Sequence, residues 1–431
     1  MRSWKAPVFF FWLLLLGTLN AQPLELKFSL TVTTTQEEAE DEVTKQSLVV
    51  VLDEETLDYR VDGSRRFLNF ETKRQYQASD DGVREASLYT DVGFRALELP
   101  NRLMLSQALN SAGLEVPPSV MQGPVMAEHL FAMDAPKSEA EPAKDSGRWI
   151  YGENLLFEAS EKGKALEAAQ SREFVRFLRY YGGGHPVILD ELEKASRVPE
   201  KFTLVIYNMA RTRRIDFALE SLKFLDTKLQ PPSGEKATAE GKFEPLIVAT
   251  SQIPPSEIEK KWDELLQEAL DSAEQGEAFQ SFLAFNEYHL ASGNPIDEFV
   301  SKRSDLYSGN PDLQKMARAL RQGAPESLEV FEELKPAAGP RAHILTIFQA
   351  SHLLEARELP EAQAKYLQAL ETNPTITGAW KDLADVSYGM FEAELAWQCW
   401  DLARKLAPNH GMLEQINSYE KMLEERYPGF F

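Results

Sequence analysis

The chain has 431 residues, 46 Lys and Arg against 68 Asp and Glu, a formal net charge of −22 and a single cysteine. That acidity excludes the basic footprint that nucleic acid or an anionic membrane surface requires. Cys399 alone excludes an intramolecular disulfide, and the length is enough for two or three hydrophobic cores.

Arg2 and Lys5 precede an apolar run at 8–16, and Asn20-Ala21 close the segment. The run is shorter than the roughly 20 residues a bilayer span needs, and its three-part form predicts a secretory signal at 1–21, cleaved after Ala21. Removing Arg2 and Lys5 takes the formal charge from −22 to −24. Export without disulfides points to a bacterial periplasm or secreted location and to a soluble mature chain with no transmembrane span.

Residues 22–250 read as an α+β unit. Leu24, Leu26, Phe28, Leu30 and Val32 alternate with Glu25, Lys27, Ser29, Thr31 and Thr33, the period of a strand with one wet face. Runs at 47–52, 56–61, 65–70 and 74–78 follow, and Asp62-Gly63 between two of them is a hairpin signal, so 24–90 is expected to be an antiparallel meander. The period becomes helical over 91–131, with Pro100 expected to split one helix into two and Gly113 to end the second. Residues 132–147 lack apolar periodicity and read as a linker. In 148–250, a strand at 149–158 precedes a helix at 164–181, which Gly182-Gly183-Gly184 ends before His185-Pro186 starts the next. Runs at 202–207 and 215–222 form a late hairpin, and 246–249 adds a possible strand. Meander and hairpin are expected to share one sheet with helices packed on it, an architecture similar to carriers that hold an acyl chain.

Beyond residue 255 only helices are expected, at 257–274, 277–291, 295–307, 311–321 and 326–334. Two better-defined units follow. Trp380, Leu383, Ala384, Ala396, Trp400, Ala403 and Pro408 mark the second; 34 residues earlier lie Ala350, Ala362, Tyr366, Ala369 and Pro374. Small residues recur where helices cross, aromatic residues where they wedge, and proline where a helix stops. This pattern resembles the tetratricopeptide repeat family, with its best copies at 343–376 and 377–410. Thr346 and Gln349 stand where the family has Trp and Leu. The resemblance implies an all-α solenoid over 255–431, capped by a helix at 415–427. It also implies a partner-binding inner face that includes Ile347, Ser351, Leu354, Lys381, Asp385 and Tyr388. Asp382 and Asp385 beside Lys381 disfavour a carboxylate clamp and favour an apolar or basic segment.

No catalytic constellation emerges. His185 after three glycines could present an imidazole to a substrate, yet a helix stop followed by a helix start explains the same residues, and there is no G-x-S-x-G nucleophile motif. His129, His185, His289, His343, His352 and His410 lack zinc-ligand spacing, so no metal or cofactor is expected. Cys399, between Trp397 and Trp400, reads as a buried inert thiol. Arg60, Arg65 and Arg66, with Arg211, Arg213 and Arg214, are basic points that could meet an acidic partner. The sequence thus predicts an exported, non-catalytic interaction or scaffold protein of the bacterial envelope whose partner is another envelope or secreted protein. A periplasmic carrier of a lipid or other hydrophobic ligand and a hydrolase-like enzyme using His185 are the alternatives.

Overall fold

The computed structural model describes residues 22–36, 39–111, 123–135, 140–208, 211–235 and 241–431. The expected signal segment 1–21 and Gly113 lie outside them. The strands, in chain order, are β1 Leu24–Gln36, β2 Glu42–Leu52, β3 Thr56–Val61, β4 Ser64–Asn69, β5 Arg74–Ser79, β6 Gly82–Ser87, β7 Ala143–Asp145, β8 Arg148–Tyr151, β9 Asn154–Ala159, β10 Gly163–Ala165, β11 Arg197–Pro199, β12 Lys201–Asn208 and β13 Arg211–Phe224. Eleven of them make one sheet, ordered β6-β5-β4-β3-β2-β1-β13-β12-β9-β8-β7, while β10 and β11 form a separate pair. The early meander and the late hairpin therefore do share a sheet, joined where β1 runs antiparallel to β13 with Leu30 opposite Phe217. The two-residue period of β1 explains why: Leu24, Leu26, Phe28, Leu30 and Val32 are all buried on one face.

Helices α1 Tyr89–Ser111, α2 Pro124–Phe131, α3 Ala168–Tyr181 and α4 Pro186–Ala195 accompany the sheet. Aromatic rings fill the space beneath it. Phe202 stacks on Phe217 at 4.2 Å, Phe28 meets both edge-on at 5.9 and 5.8 Å, and Tyr59 meets Phe177 and Tyr181 of α3 at 5.9 and 5.7 Å. The volume in which an acyl chain would lie is thus occupied by the protein's own side chains.

The remaining helices are α5 Glu244–Ser251, α6 Pro255–Glu274, α7 Ala278–Ser292, α8 Asp297–Ser301, α9 Ser304–Ser308, α10 Pro311–Ala319, α11 Glu326–Ala338, α12 Ala342–Glu355, α13 Leu359–Thr372, α14 Thr377–Gly389, α15 Ala393–Leu406 and α16 Glu414–Arg426. The chain is accordingly α+β: a large antiparallel sheet with packed helices, then an all-α region. The pairs α12–α13 and α14–α15 lie where the 34-residue period puts them, with Ala350, Ala362, Ala369, Ala384, Ala396 and Ala403 fully buried at the crossings.

Several expectations need correction. Pro100 lies inside one continuous helix, α1; Val92 and Leu99, before the proline, are fully buried, and Asn101 Nδ2 donates to the Leu97 carbonyl near the missing bond. Residues 246–249 are helical, because Pro245 pre-sets the first turn of α5 and a four-residue apolar run has no period of its own. The expected strand 149–158 is a hairpin, β8–β9. Part of the expected linker pairs with it as β7, the helix expected from 164 starts at Ala168 after strand β10, and the helix expected over 295–307 is two short ones, α8 and α9.

The helical region returns to the sheet. Tyr388 of α14 donates to the Gly93 carbonyl of α1 at 2.9 Å. A side chain at Gly93 would lie 2.1 Å from the Trp397 ring, so glycine is what lets α1 and α15 approach. Near the end of the chain, Tyr180 donates to the Phe430 carbonyl at 2.9 Å, and the guanidinium groups of Arg95 and Arg179 sit 5.4 and 5.9 Å from the Phe430 ring.

Candidate functional site

The inner face implied by the repeat resemblance is largely taken up within the chain. Helix α7 lies across the starts of α12 and α14. Glu287 of α7 accepts from His343 at 2.7 Å and from Asn373 at 2.6 Å, and Thr377 donates to the Ala291 carbonyl at 2.7 Å. Burial raises the Glu287 pKa, but the His343 hydrogen bond and charge, with Asn373 and Arg341, outweigh it and hold the carboxylate below its usual range. Ile347 is 2% exposed and Lys381 8%. Lys381 bonds Asp385 at 2.7 Å, and Asp385 also accepts from Trp400 Nε1 at 3.0 Å. Burial pushes the neighbouring Asp382 up to about 6. Ser351 shares a hydrogen bond with Tyr366 at 3.0 Å, Leu354 is half-buried, and the Tyr388 hydroxyl is held by Gly93 and Tyr419.

His185 is also internal, 3% exposed. Its Nδ1 accepts from the Val187 N–H at 3.3 Å and so caps α4, while its Nε2 lies 3.3 Å from Glu128 Oε2. The His185 N–H donates to His129 Nδ1 at 2.9 Å, which makes His129 Nε2 the donor to the Val205 carbonyl at 2.9 Å. Burial pushes His129 down to about 4, so it is neutral. No serine, threonine or cysteine among the described residues hydrogen-bonds either imidazole. The geometry is that of a helix junction. Cys399 is fully buried, and burial raises its thiol pKa. The basic points are engaged within the chain: Arg60 and Arg65 pair with Asp58, Arg66 with Gln75, Arg211 with Gln36 and Arg214 with Asp216.

A cleft of about 770 Å³ lies open between the sheet end and the last repeat pair, within the range of roughly 300–1,000 Å³ found for binding pockets. Its floor is the continuation of the helix-covered sheet face. Tyr59, Arg66, Gln77 and Arg84 stand opposite one another across β3 to β6, so the row runs from a buried aromatic into polar residues as the helices leave it. Arg66 donates to Gln75 at 2.6 Å and to the Tyr59 hydroxyl at 3.3 Å. Asp91 and Phe94 of α1 form one wall, and residues 241–244 at the start of α5 another. The third wall is the turn from α14 into α15, with Phe391, Glu392, Glu394 and Leu395.

That turn is unusual. The Glu392 N–H bonds the Ser387 carbonyl at 2.9 Å and the Phe391 N–H bonds Tyr388 at 3.0 Å, closing a helix end in which Phe391 takes φ 66°. The same bonds and nearly the same angle, φ 65°, occur 34 residues earlier at Arg357. Glycine is the usual occupant of such a left-handed position, and another L-residue there costs about 1–2 kcal/mol. Phe391 nevertheless sits there, 39% exposed, in the lining of a cleft that the 37%-exposed Phe94 also lines. Neither was singled out from sequence; the absence of glycine at the turn between paired helices was the signal available.

Among the described residues no group of three or more His, Cys, Asp or Glu side chains is placed to hold a metal ion, and no helix is long and apolar enough to cross a membrane. No family model and no curated protein matches the chain. Among solved structures it is similar to one described as lipid-protein interactions in lipovitellin, at 9% identity and a TM-score of 0.18, covering 94% of this chain. The match spans about half, 54%, of that chain, and at this TM-score it carries no argument.

Proposed function

We infer that this chain is a non-catalytic interaction protein, exported to the bacterial envelope, that holds another envelope or secreted protein at the cleft between its sheet and its last repeat pair. The observation that carries the reading is Phe391: an exposed aromatic residue held at a left-handed backbone position, lining an open cleft that a second exposed aromatic residue, Phe94, also lines. The left-handed turn recurs at Arg357, but only at residue 391 does it carry an aromatic side chain into the cleft lining, and exposed aromatic residues are common interface anchors. The inner face of the repeats is less suited to the task, since Ile347 and Lys381 are buried and Tyr388 is bonded within the chain. Carriage of a lipid by the sheet lacks a comparable observation, because Phe28, Phe202 and Phe217 fill the covered face.

Capture from an envelope extract by the full chain and by a Phe94→Ala/Phe391→Ala variant of equal thermal stability tests the reading. The expected result is a discrete partner retained by the first and reduced at least about tenfold with the second. Equal capture by both contradicts it. Native mass spectrometry of the purified chain addresses carriage: a retained acyl chain at one-to-one stoichiometry would favour the carrier.

A further inference from the structure

The charges around the cleft are unequal in a way that selects a partner. Arg66 is engaged by Gln75 and Tyr59, Lys242 lies 5.8 Å from the Phe243 ring, and Arg84 also interacts within the chain. The acids differ. Among the described residues, the side chains of Glu244 and Glu394 make no hydrogen bond or ion pair. They approach the cleft from two separate elements, the starts of α5 and α15. The lining carries four carboxylates, Asp91, Glu244, Glu392 and Glu394, against three cations, Arg66, Arg84 and Lys242, so a cation entering the cleft meets the charge in excess, including two carboxylates that no hydrogen bond or ion pair among the described residues engages.

We propose that the occupant of the cleft is an extended segment of a partner protein in which an apolar side chain, seated between Phe94 and Phe391, is flanked by lysine or arginine reaching Glu244 and Glu394. This rests on the cleft being the docking surface and adds the chemistry of what docks. The two rings supply the anchor, and the unpaired acids supply orientation and discrimination against acidic segments, as charge complementarity does at interfaces generally. Both acids also sit in the first turn of a helix, where a carboxylate is favourable toward the helix dipole. That role predicts no preference among ligands, so peptide selection separates it from the one proposed.

The test is an array of immobilised octapeptides in four classes: basic with an apolar residue, acidic with an apolar residue, basic and wholly polar, and neutral. It is probed with the full chain and with Glu244→Gln/Glu394→Gln, Phe391→Gly and Phe94→Ala variants of matched thermal stability. The full chain should retain the basic-apolar class about tenfold over the acidic-apolar class. The double Gln variant should bring the two within about twofold, and Phe391→Gly and Phe94→Ala should lower retention of the apolar-containing classes about fivefold. Equal retention of basic and acidic classes, or a preference unchanged in the double Gln variant, overturns the proposed chemistry. If retention still falls in the Phe391 and Phe94 variants, the docking site itself stands. Retention of every class unaffected by both rings, or no retention of any class, removes the docking site as well.

Discussion

Of the turns in this molecule that follow a helix with backbone of positive φ, two differ most plainly in what that conformation serves. At Gly183 and Gly184, φ is 91° and 122°, and a Cβ on Gly183 would lie 2.8 Å from the carbonyl oxygens of both His129 and Leu130. Glycine is there so that two segments can touch. At Phe391 the conformation is adopted by a residue that disfavours it, and the ring is left partly in solvent. The glycine-rich turn with its histidine has the sequence appearance of a catalytic loop and is a packing device. The turn without a glycine reads as ordinary in sequence; its backbone repeats that of Arg357, and what sets it apart is the exposed aromatic side chain it carries into the cleft lining.

The largest expected effect lies at the first turn. Gly183→Ala should cost about 3 kcal/mol or more in urea unfolding, from the left-handed backbone and the two carbonyl contacts together. A loss below about 1 kcal/mol would mean that α2 and the α3–α4 junction are not tightly joined.

The His129 imidazole sharpens the same side of the comparison. Its unfolded pKa is near 6.5 and its buried folded value about 4. As pH falls from 6.5 toward 4 the unfolded state takes up a proton that the folded state refuses, so stability present above 6.5 is lost through that window, by on the order of 2–3 kcal/mol. In a His129→Gln variant, whose amide can both accept from His185 and donate to Val205, the fall in stability between pH 7 and pH 4 should be smaller by that amount. An unchanged pH profile would show that His129 is not held neutral.

His185→Ala should cost about 1 kcal/mol through loss of the α4 cap, and His185→Asn should restore most of it because asparagine caps well. If Asn recovers nothing, the Glu128 contact is the more important of the two.

The smallest effects are gains. Phe391→Gly and Arg357→Gly should each stabilise the chain by up to about 1 kcal/mol, the relieved left-handed strain less the extra freedom of glycine in the unfolded chain. Only the first should impair partner binding. Destabilisation by Phe391→Gly would show that its ring is part of the fold's support.

The sequence disclosed much of this architecture because its signals are local. The alternation in β1 needs only nine residues, and the repeat pairs declare themselves through Ala362 and Ala396, or Tyr366 and Trp400, one period apart. The shared sheet was legible because two sets of strands flank an insertion of helices. Hairpin β8–β9 reads as one strand in sequence, and α5 as a strand, because short apolar runs fit either period. The cleft was out of reach. Its walls come from residues 66–94, 241–244 and 391–398, and no local pattern announces that such distant segments meet. The inner face implied by the repeats was derived as though the solenoid stood alone. It does not: α7 is bonded to the start of α14, and α1 takes the hydroxyl of Tyr388.

The most direct measurement places a photo-crosslinking phenylalanine analogue at single positions of the full chain in the organism that makes it. The account predicts a discrete adduct with one partner protein from position 391 and none from position 357, the equivalent turn of the preceding repeat. Adducts from positions 351 and 354 on the inner face, with none from 391, would contradict it.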